Sequence, residues 1–232
     1  MTEWAIQWRP PQLPVTSGAA FPARHCWCVG RNYAEHALEM GADPGAESPV
    51  FFSKPAAALV SDTAIDYPEN TESLHHEVEL VVLLRGGGRH LDPEECSERI
   101  FGYAVGIDLT RRDVQARAKQ AGHPWEMSKG FDQSAPMGLI VPAEEWTPQP
   151  DAIIELQVNG VMRQQAALGD MIWPVNELIA RLSQDVTLQS GDVVFTGTPA
   201  GVASLEPGDR VVARIGDLPP MELTIRPTQF HD

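Results

Sequence analysis

The sequence predicts a single mixed α+β domain in which strands predominate, and three observations carry that expectation. Short runs rich in Val, Ile, Leu and Phe recur from Cys26 to Arg226 and outnumber the helical stretches. They follow no regular strand–helix–strand alternation, which argues against a doubly wound parallel sheet. Asn159-Gly160 separates two strand-like segments, 153–158 and 161–165, and this dipeptide is the one that a two-residue β-hairpin favours.

In chain order, residues 1–25 carry Pro10, Pro11, Pro14 and Pro22 and read as an irregular or partly stranded lead-in to a domain spanning 26–232. Cys26-Trp27-Cys28-Val29 is a strand ending at Gly30, and residues 31–40 are a helix stopped by Gly41. A Pro/Gly loop follows, so this helix has the setting of a lid. Val50–Lys54 is the next strand, ended by Pro55. Residues 75–84 form a long apolar strand, and Arg85-Gly86-Gly87-Gly88-Arg89 a turn without the Gly-Lys-Ser/Thr of a phosphate loop. Asp92-Pro93 opens a short helix through Ile100, and Tyr103–Asp108 is a strand. Thr110 is placed to cap a helix through Ala121, ended by Gly122. Lys129 falls in a polar loop. Beyond Pro142 come the hairpin, a helix over 174–183, the strand Val193-Val194-Phe195 and two final strands over 209–215 and 221–226.

Composition narrows the function. The 232 residues are 43% hydrophobic and 21% charged, ordinary for a globular protein with a sizeable core. With 17 Lys+Arg against 32 Asp+Glu the formal charge is −15, which disfavours nucleic acid or an anionic membrane as partner. An anionic small-molecule substrate would need positive charge gathered locally from a metal, Lys and Arg. Cys26, Cys28 and Cys96 form no C-x-x-C pair, so neither a disulfide framework nor a zinc site is expected. The first 20 residues include Glu3, Arg9 and three prolines and offer no apolar signal core, and no run of 18 apolar residues occurs. The expectation is a cytoplasmic protein.

The chemistry concentrates in His75-His76-Glu77-Val78-Glu79. Period two puts Glu77 and Glu79 on one face of a strand, where paired like charges beside an apolar block are costly unless a cation neutralises them or one is protonated. Asp108, at the end of a second apolar run, offers a third carboxylate. An all-oxygen set suits a hard ion, Mg²⁺ first, then Mn²⁺ or Ca²⁺. Solvated glutamates on an edge strand are the competing explanation of the same spacing. His36 and Glu39, three apart on a helix, share a face, so the carboxylate can orient the imidazole. Arg112 and Gln115 share a face just beyond Asp108, and Thr196-Gly197-Thr198-Pro199 is a tight turn rich in donors.

These stretches together resemble the fumarylacetoacetate hydrolase family: Gly30-Arg31-Asn32-Tyr33 with His36-x-x-Glu39, His75-His76-Glu77-Val78-Glu79, Asp108, Arg112-Asp113-Val114-Gln115, Trp125-Glu126-x-x-Lys129 and Thr196-Gly197-Thr198-Pro199. The order and spacing are most similar to the short acylpyruvate and fumarylpyruvate hydrolases. The resemblance implies a mixed β-roll, a metal held by Glu77, Glu79 and Asp108, and a His36–Glu39 dyad on a lid. It implies catalytic roles for Lys129 and Gln115 and substrate contacts for Arg112 and Thr198, with a homodimer as the assembly. Ala200-Gly201-Val202-Ala203 departs from the Gly-Val-Gly expected after the Thr-Gly-Thr-Pro turn. The expected reaction is metal-dependent hydrolysis of the C–C bond of a 2,4-diketo acid to pyruvate and a carboxylic acid. Oxaloacetate decarboxylation, or isomerisation or hydration of a keto-enol acid, uses the same site, and a non-catalytic binding module is the rival from another class. Arg31 and Arg111 are the candidates to meet a distal carboxylate of the substrate.

Overall fold

The computed structural model describes residues 5–39 and 48–228. A six-stranded sheet forms its centre, in the spatial order Val141–Pro142, Ile100–Ile107, Val78–Leu84, Asp192–Phe195, His25–Gly30 and Val50–Lys54. The pairs are antiparallel except one, in which Asp192–Phe195 runs parallel to His25–Gly30. A second sheet of five strands runs Val161–Ala167, Ile153–Val158, Arg210–Ile215, Met221–Arg226 and Ala64–Asp66. The expected hairpin is present, with Asn159 and Gly160 at φ 52° and 79°, as a two-residue turn with both central residues in the left-handed region requires.

Alternation along the central strands sends side chains to two separate apolar clusters. Leu80, Val82 and Leu84 face Ile154, Leu156 and Val211 of the five-stranded sheet and Leu178, Ile179 and Leu182 of the Val175–Asp185 helix. Val81, Leu83 and Phe195 point the other way, onto Leu13, Val15 and Phe21. The lead-in is therefore a strand pair, Gln12–Pro14 with Ala20–Pro22, that covers one face of the central sheet. Sheet strands buried on both faces read as continuous apolar runs, which is the pattern of residues 78–84.

Three expectations are corrected at the corners of this sheet. The 75–84 strand is two strands, Leu74–His76 and Val78–Leu84, broken at Glu77. Leu74–His76 leaves the central sheet to pair with Thr110–Arg111 and Ala203–Leu205. Thr110 is thus a strand residue rather than a helix cap, and the helix is Arg112–Ala121, closed by Gly122 at φ 65°. Lys129 ends a short helix, Glu126–Lys129, rather than lying in a loop. The helix expected over 31–40 is described over Ala34–Glu39, whereas Met40 and Gly41 lie outside the described residues. No helix among the described residues is long and apolar enough to cross a membrane.

Candidate active site

Three chain segments pass from the central sheet to the small three-stranded sheet, and the site is built at those crossings. The first crossing is Glu77, between Leu74–His76 and Val78–Leu84. The second is Asp108-Leu109, between Ile100–Ile107 and Thr110–Arg111. The third is the turn after Asp192–Phe195 that leads to Ala203–Leu205. Val78 pairs with Ile107, and the Asp108 N–H donates to the Glu77 carbonyl at 2.8 Å, so the ladder itself brings the first two corners together. Where a strand leaves one sheet for another, side chains are released from the packed faces, and here the released ones are acidic.

Glu77, Glu79 and Asp108 are buried, and one oxygen of each lies within 4.8 Å of the others. Their partners differ. Glu79 is 1% exposed, and its Oε2 accepts the Gly197 N–H at 2.7 Å. Glu77 takes Lys129 Nζ at 2.8 Å on Oε2 and the Arg112 guanidinium on Oε1. Asp108 takes Lys129 Nζ at 2.6 Å on Oδ2 and Lys54 Nζ at 2.8 Å on Oδ1. Lys54 is 1% exposed and also donates to the carbonyls of Leu109, at 3.0 Å, and Lys129. Burial would raise the Glu77 carboxyl, but Lys129 and Arg112 outweigh it and hold it well below the usual range. Glu79 has no such cation. Burial, with Asp108 and Glu77 as like charges, pushes its carboxyl well above the ordinary value. Burial opposes the Lys129 ammonium, yet Asp108 and Glu77 hold its proton more tightly than in an ordinary lysine.

This arrangement fits a hard divalent cation. The donors are all oxygen, and Glu79 Oε1 has no hydrogen bond among the described residues. The rise in the Glu79 carboxyl marks a cluster short of positive charge. Competition from Lys129 and Lys54 is the other side of the same geometry, since both ammonium groups already compensate ligands that the ion would share.

Most of the other predicted residues converge here. Arg31, His36, Arg112, Gln115, Lys129 and Thr198 line one cavity of about 40 Å³ with the three carboxylates. Glu39 stands behind it: its Oε2 is 3.2 Å from His36 Nδ1, so that nitrogen carries the hydrogen and Nε2 is left as the acceptor. Hydrogen-bond logic also fixes two polar groups. Arg112 can only donate, and its Nη1 is 2.7 Å from Gln115 Oε1, so the Gln115 amide hydrogens remain for the cavity. Arg111 does not join them. It stacks 4.4 Å over Phe131 and borders a separate surface depression with Asp66 and Asp132, which removes it as a candidate for the substrate's far end.

Sequence reasoning missed four residues. Lys54 gave only the hint of a lysine closing an apolar strand. Asn32 is fully buried and bonds Trp173 and Thr196, fastening the segment that leads into the Ala34–Glu39 helix to the third crossing; Gly197 (φ 99°) is needed there, because a Cβ would lie 2.6 Å from that of Asn32. Gln164 sits on the five-stranded sheet and is 1% exposed. Its Oε1 accepts the Val78 N–H at 3.1 Å, so its Nε2 must donate, and it does so to Thr198 Oγ1 and the Pro199 carbonyl, both at 2.8 Å. Thr198 therefore spends an acceptor lone pair on Gln164 and keeps its own hydrogen for the cavity. Lys119, the fourth, also lines the cavity.

The sequence model of the fumarylacetoacetate (FAA) hydrolase C-terminal family matches residues 25–226. The chain belongs to this family. It is 45% identical over 193 residues to oxaloacetate tautomerase YcgM of Escherichia coli (strain K12), covering 82% of this chain and 88% of the relative. It is 37% identical to mitochondrial oxaloacetate tautomerase FAHD1 of Mus musculus, covering 88% and 92%. Among solved structures, a fumarylpyruvate hydrolase from Pseudomonas aeruginosa in complex with Mn²⁺ and pyruvate superposes with a TM-score of 0.93 at 42% identity, covering 97% and 99%. The family's β-rich α+β fold is thus the fold of this chain, and its members are enzymes named as hydrolases, tautomerases and isomerases.

Proposed function

We propose that the chain hydrolyses the C–C bond of a 2,4-dioxo acid of the fumarylpyruvate type, yielding pyruvate and a carboxylic acid. The observation that carries this reading is the His36–Glu39 dyad, whose imidazole lines the same cavity as a buried three-carboxylate cluster and two fixed donors. Glu77, Glu79 and Asp108 would hold Mg²⁺ or Mn²⁺, and the bound ion would supply Lewis-acid polarisation at the 2-oxo carboxylate end of the substrate. Thr198, its hydrogen directed to the cavity by Gln164, anchors that carboxylate.

His36 Nε2 takes a proton from water, which adds to the C4 carbonyl, while Glu39 holds the imidazolium that results. The Gln115 amide, and the Lys129 N–H not used by Glu77 and Asp108, stabilise the oxyanion on C4. The C3–C4 bond then breaks, its electron pair passing into the pyruvyl fragment. His36 returns the proton to C3, so that pyruvate and the acid leave with all atoms accounted for.

A second reading is supported by the names of relatives at 45% and 37% identity, both oxaloacetate tautomerases. In that reaction His36 moves a proton between C3 and the enol oxygen of the substrate, and no water is added. Mg²⁺ or Mn²⁺ as native ion, a homodimer and a cytoplasmic setting belong to the proposal in the same way. The test is incubation with fumarylpyruvate, acetylpyruvate and oxaloacetate, following loss of enol absorbance alongside pyruvate formation. Hydrolysis predicts stoichiometric pyruvate and acid from an acylpyruvate. Enol–keto conversion of oxaloacetate with no acylpyruvate cleaved would establish the second reading instead.

A further inference from the structure

A second cavity, of about 510 Å³, lies between a loop over 147–150, the turn Leu168–Asp170 and the start of the Val175–Asp185 helix. Small-molecule pockets span about 300–1,000 Å³. It shares no lining residue with the carboxylate site. Its Met171 wall backs onto the segment leading to His36, for Met171 pairs with Tyr33 and the Ile172 N–H donates to the Asn32 carbonyl at 2.8 Å. The walls are set: Pro148, Pro150 and Pro174 fix their own φ, and a Cβ on Gly169 would lie 2.9 Å from the Pro150 carbonyl oxygen. In a chain that is 21% charged, none of the described residues lining this cavity carries a charge. Asp170 and Glu177, each next to a lining residue in sequence, are not among them.

Two sets of hydrogen-bond donors at this cavity lack partners. The helix starts after Pro174, whose side chain cannot cap it, and its first intrahelical bond is from the Leu178 N–H to the Pro174 carbonyl. The N–H groups of Val175, Asn176 and Glu177 therefore have no partner among the described residues, and Val175 and Asn176 line the cavity. The peptide dipoles of the helix sum to about +0.5 charge at that end. Tyr103 supplies the other donor. It is 5% exposed, packs edge-on against Trp146 with ring centroids 5.4 Å apart, and lines the cavity. Among the described residues its hydroxyl has no hydrogen-bond partner. Burial alone pushes its pKa up to about 12, so the hydroxyl keeps its hydrogen near neutral pH. A buried hydroxyl without a partner is unfavourable, and an acceptor brought by a ligand satisfies it.

We infer that this second cavity binds a small monocarboxylic acid with an apolar body. Its carboxylate meets the Val175 and Asn176 amides and the Tyr103 hydroxyl, and its body lies against Pro148, Leu168 and Met171. An uncapped helix start favours an anion through its amides and its dipole alike, and no carboxylate in the described wall repels one. The site stands whichever reaction the first cavity performs.

Calorimetry compares 3-phenylpropanoate with its uncharged isostere, 3-phenylpropanamide, on protein with Mg²⁺ and excess oxalate, which keeps a carboxylate probe off the ion of the first cavity. The wild type takes one 3-phenylpropanoate per chain and binds it more tightly than the amide. Tyr103→Phe keeps the ring, removes the hydroxyl and weakens the acid about ten-fold, the scale of one hydrogen bond to a charged group. Asn176→Asp places a negative charge in the first turn, where the helix dipole favours it, so the fold is kept. It weakens the acid by about ten-fold or more and changes amide binding far less. No saturable binding of the acid, equal affinity for acid and amide, or acid binding unchanged in either variant overturns the proposal.

Discussion

Replacing Lys54 with methionine separates the two roles of the buried charge network. The side chain keeps its length and apolar stem, but the ammonium that pairs with Asp108 Oδ1 at 2.8 Å and donates to two backbone carbonyls is lost. Breaking a buried ion pair by removing one partner costs about 3–5 kcal/mol, because the other charge is left uncompensated. For a chain of this size each kcal/mol moves Tm by about 2–4 °C, so the metal-free variant should melt about 6–20 °C below the wild type. Asp108 is also a proposed metal ligand, and a divalent ion restores part of the missing positive charge. Saturating Mg²⁺ or Mn²⁺ should therefore raise the Tm of Lys54→Met by more than that of the wild type and narrow the gap. Differential scanning calorimetry with and without the ion reads both quantities. A variant that melts within about 2 °C of wild type in both conditions would refute the coupling of Lys54, Asp108 and the ion.

Three further outcomes follow from the same geometry. His36→Ala should lower hydrolysis by roughly 10²–10⁴, the usual contribution of a positioned general base, with Glu39→Gln falling between; oxalate binding, measured by calorimetry, should weaken far less, and near wild-type turnover would make the dyad a lid contact. Gln164→Met leaves the Val78 N–H and the Pro199 carbonyl without partners at about 1–3 kcal/mol each and frees the Thr198 hydroxyl to turn; its effect on oxalate affinity should vanish in a Thr198→Val background, and additivity would contradict the assigned direction of that hydroxyl. Glu79, whose carboxyl is raised by burial, Asp108 and Glu77, binds a proton that its unfolded counterpart has lost. The stability of the metal-free protein should therefore fall as pH rises above the ordinary glutamate value of about 4.3 towards the raised one, and Glu79→Gln should flatten that slope in denaturant titrations.

The carboxylate cluster was legible because Glu77 and Glu79 lie two apart and Asp108 ends an apolar run, a local pattern with a local physical meaning. The Asn159-Gly160 hairpin was legible for the same reason. The break at Glu77 was not. Residues 75–84 read as continuous strand, and nothing local tells that Leu74–His76 takes its hydrogen bonds from a different sheet. The same switch, on the partner strand, turned Thr110 from an expected helix cap into a strand residue. Lys54, Gln164 and Lys119 are single polar residues in strands or on a helix, where a solvated position is the usual outcome; only tertiary packing makes two of them buried partners of the site. Arg111 and Arg112 are adjacent, yet the start of the helix sends them to opposite destinations, Phe131 and Glu77.

The central claim is that Glu77, Glu79 and Asp108 hold one divalent ion. Its most direct test is calorimetric titration of metal-free protein with Mn²⁺, repeated between pH 5 and 8 in buffers of different ionisation enthalpy. The account predicts one ion per chain, with proton release from Glu79 at pH values below its raised pKa and affinity that increases with pH over the same range. Glu77→Gln and Asp108→Asn should each weaken binding severely. A titration with no saturable site, or one that survives intact in both variants, would contradict it.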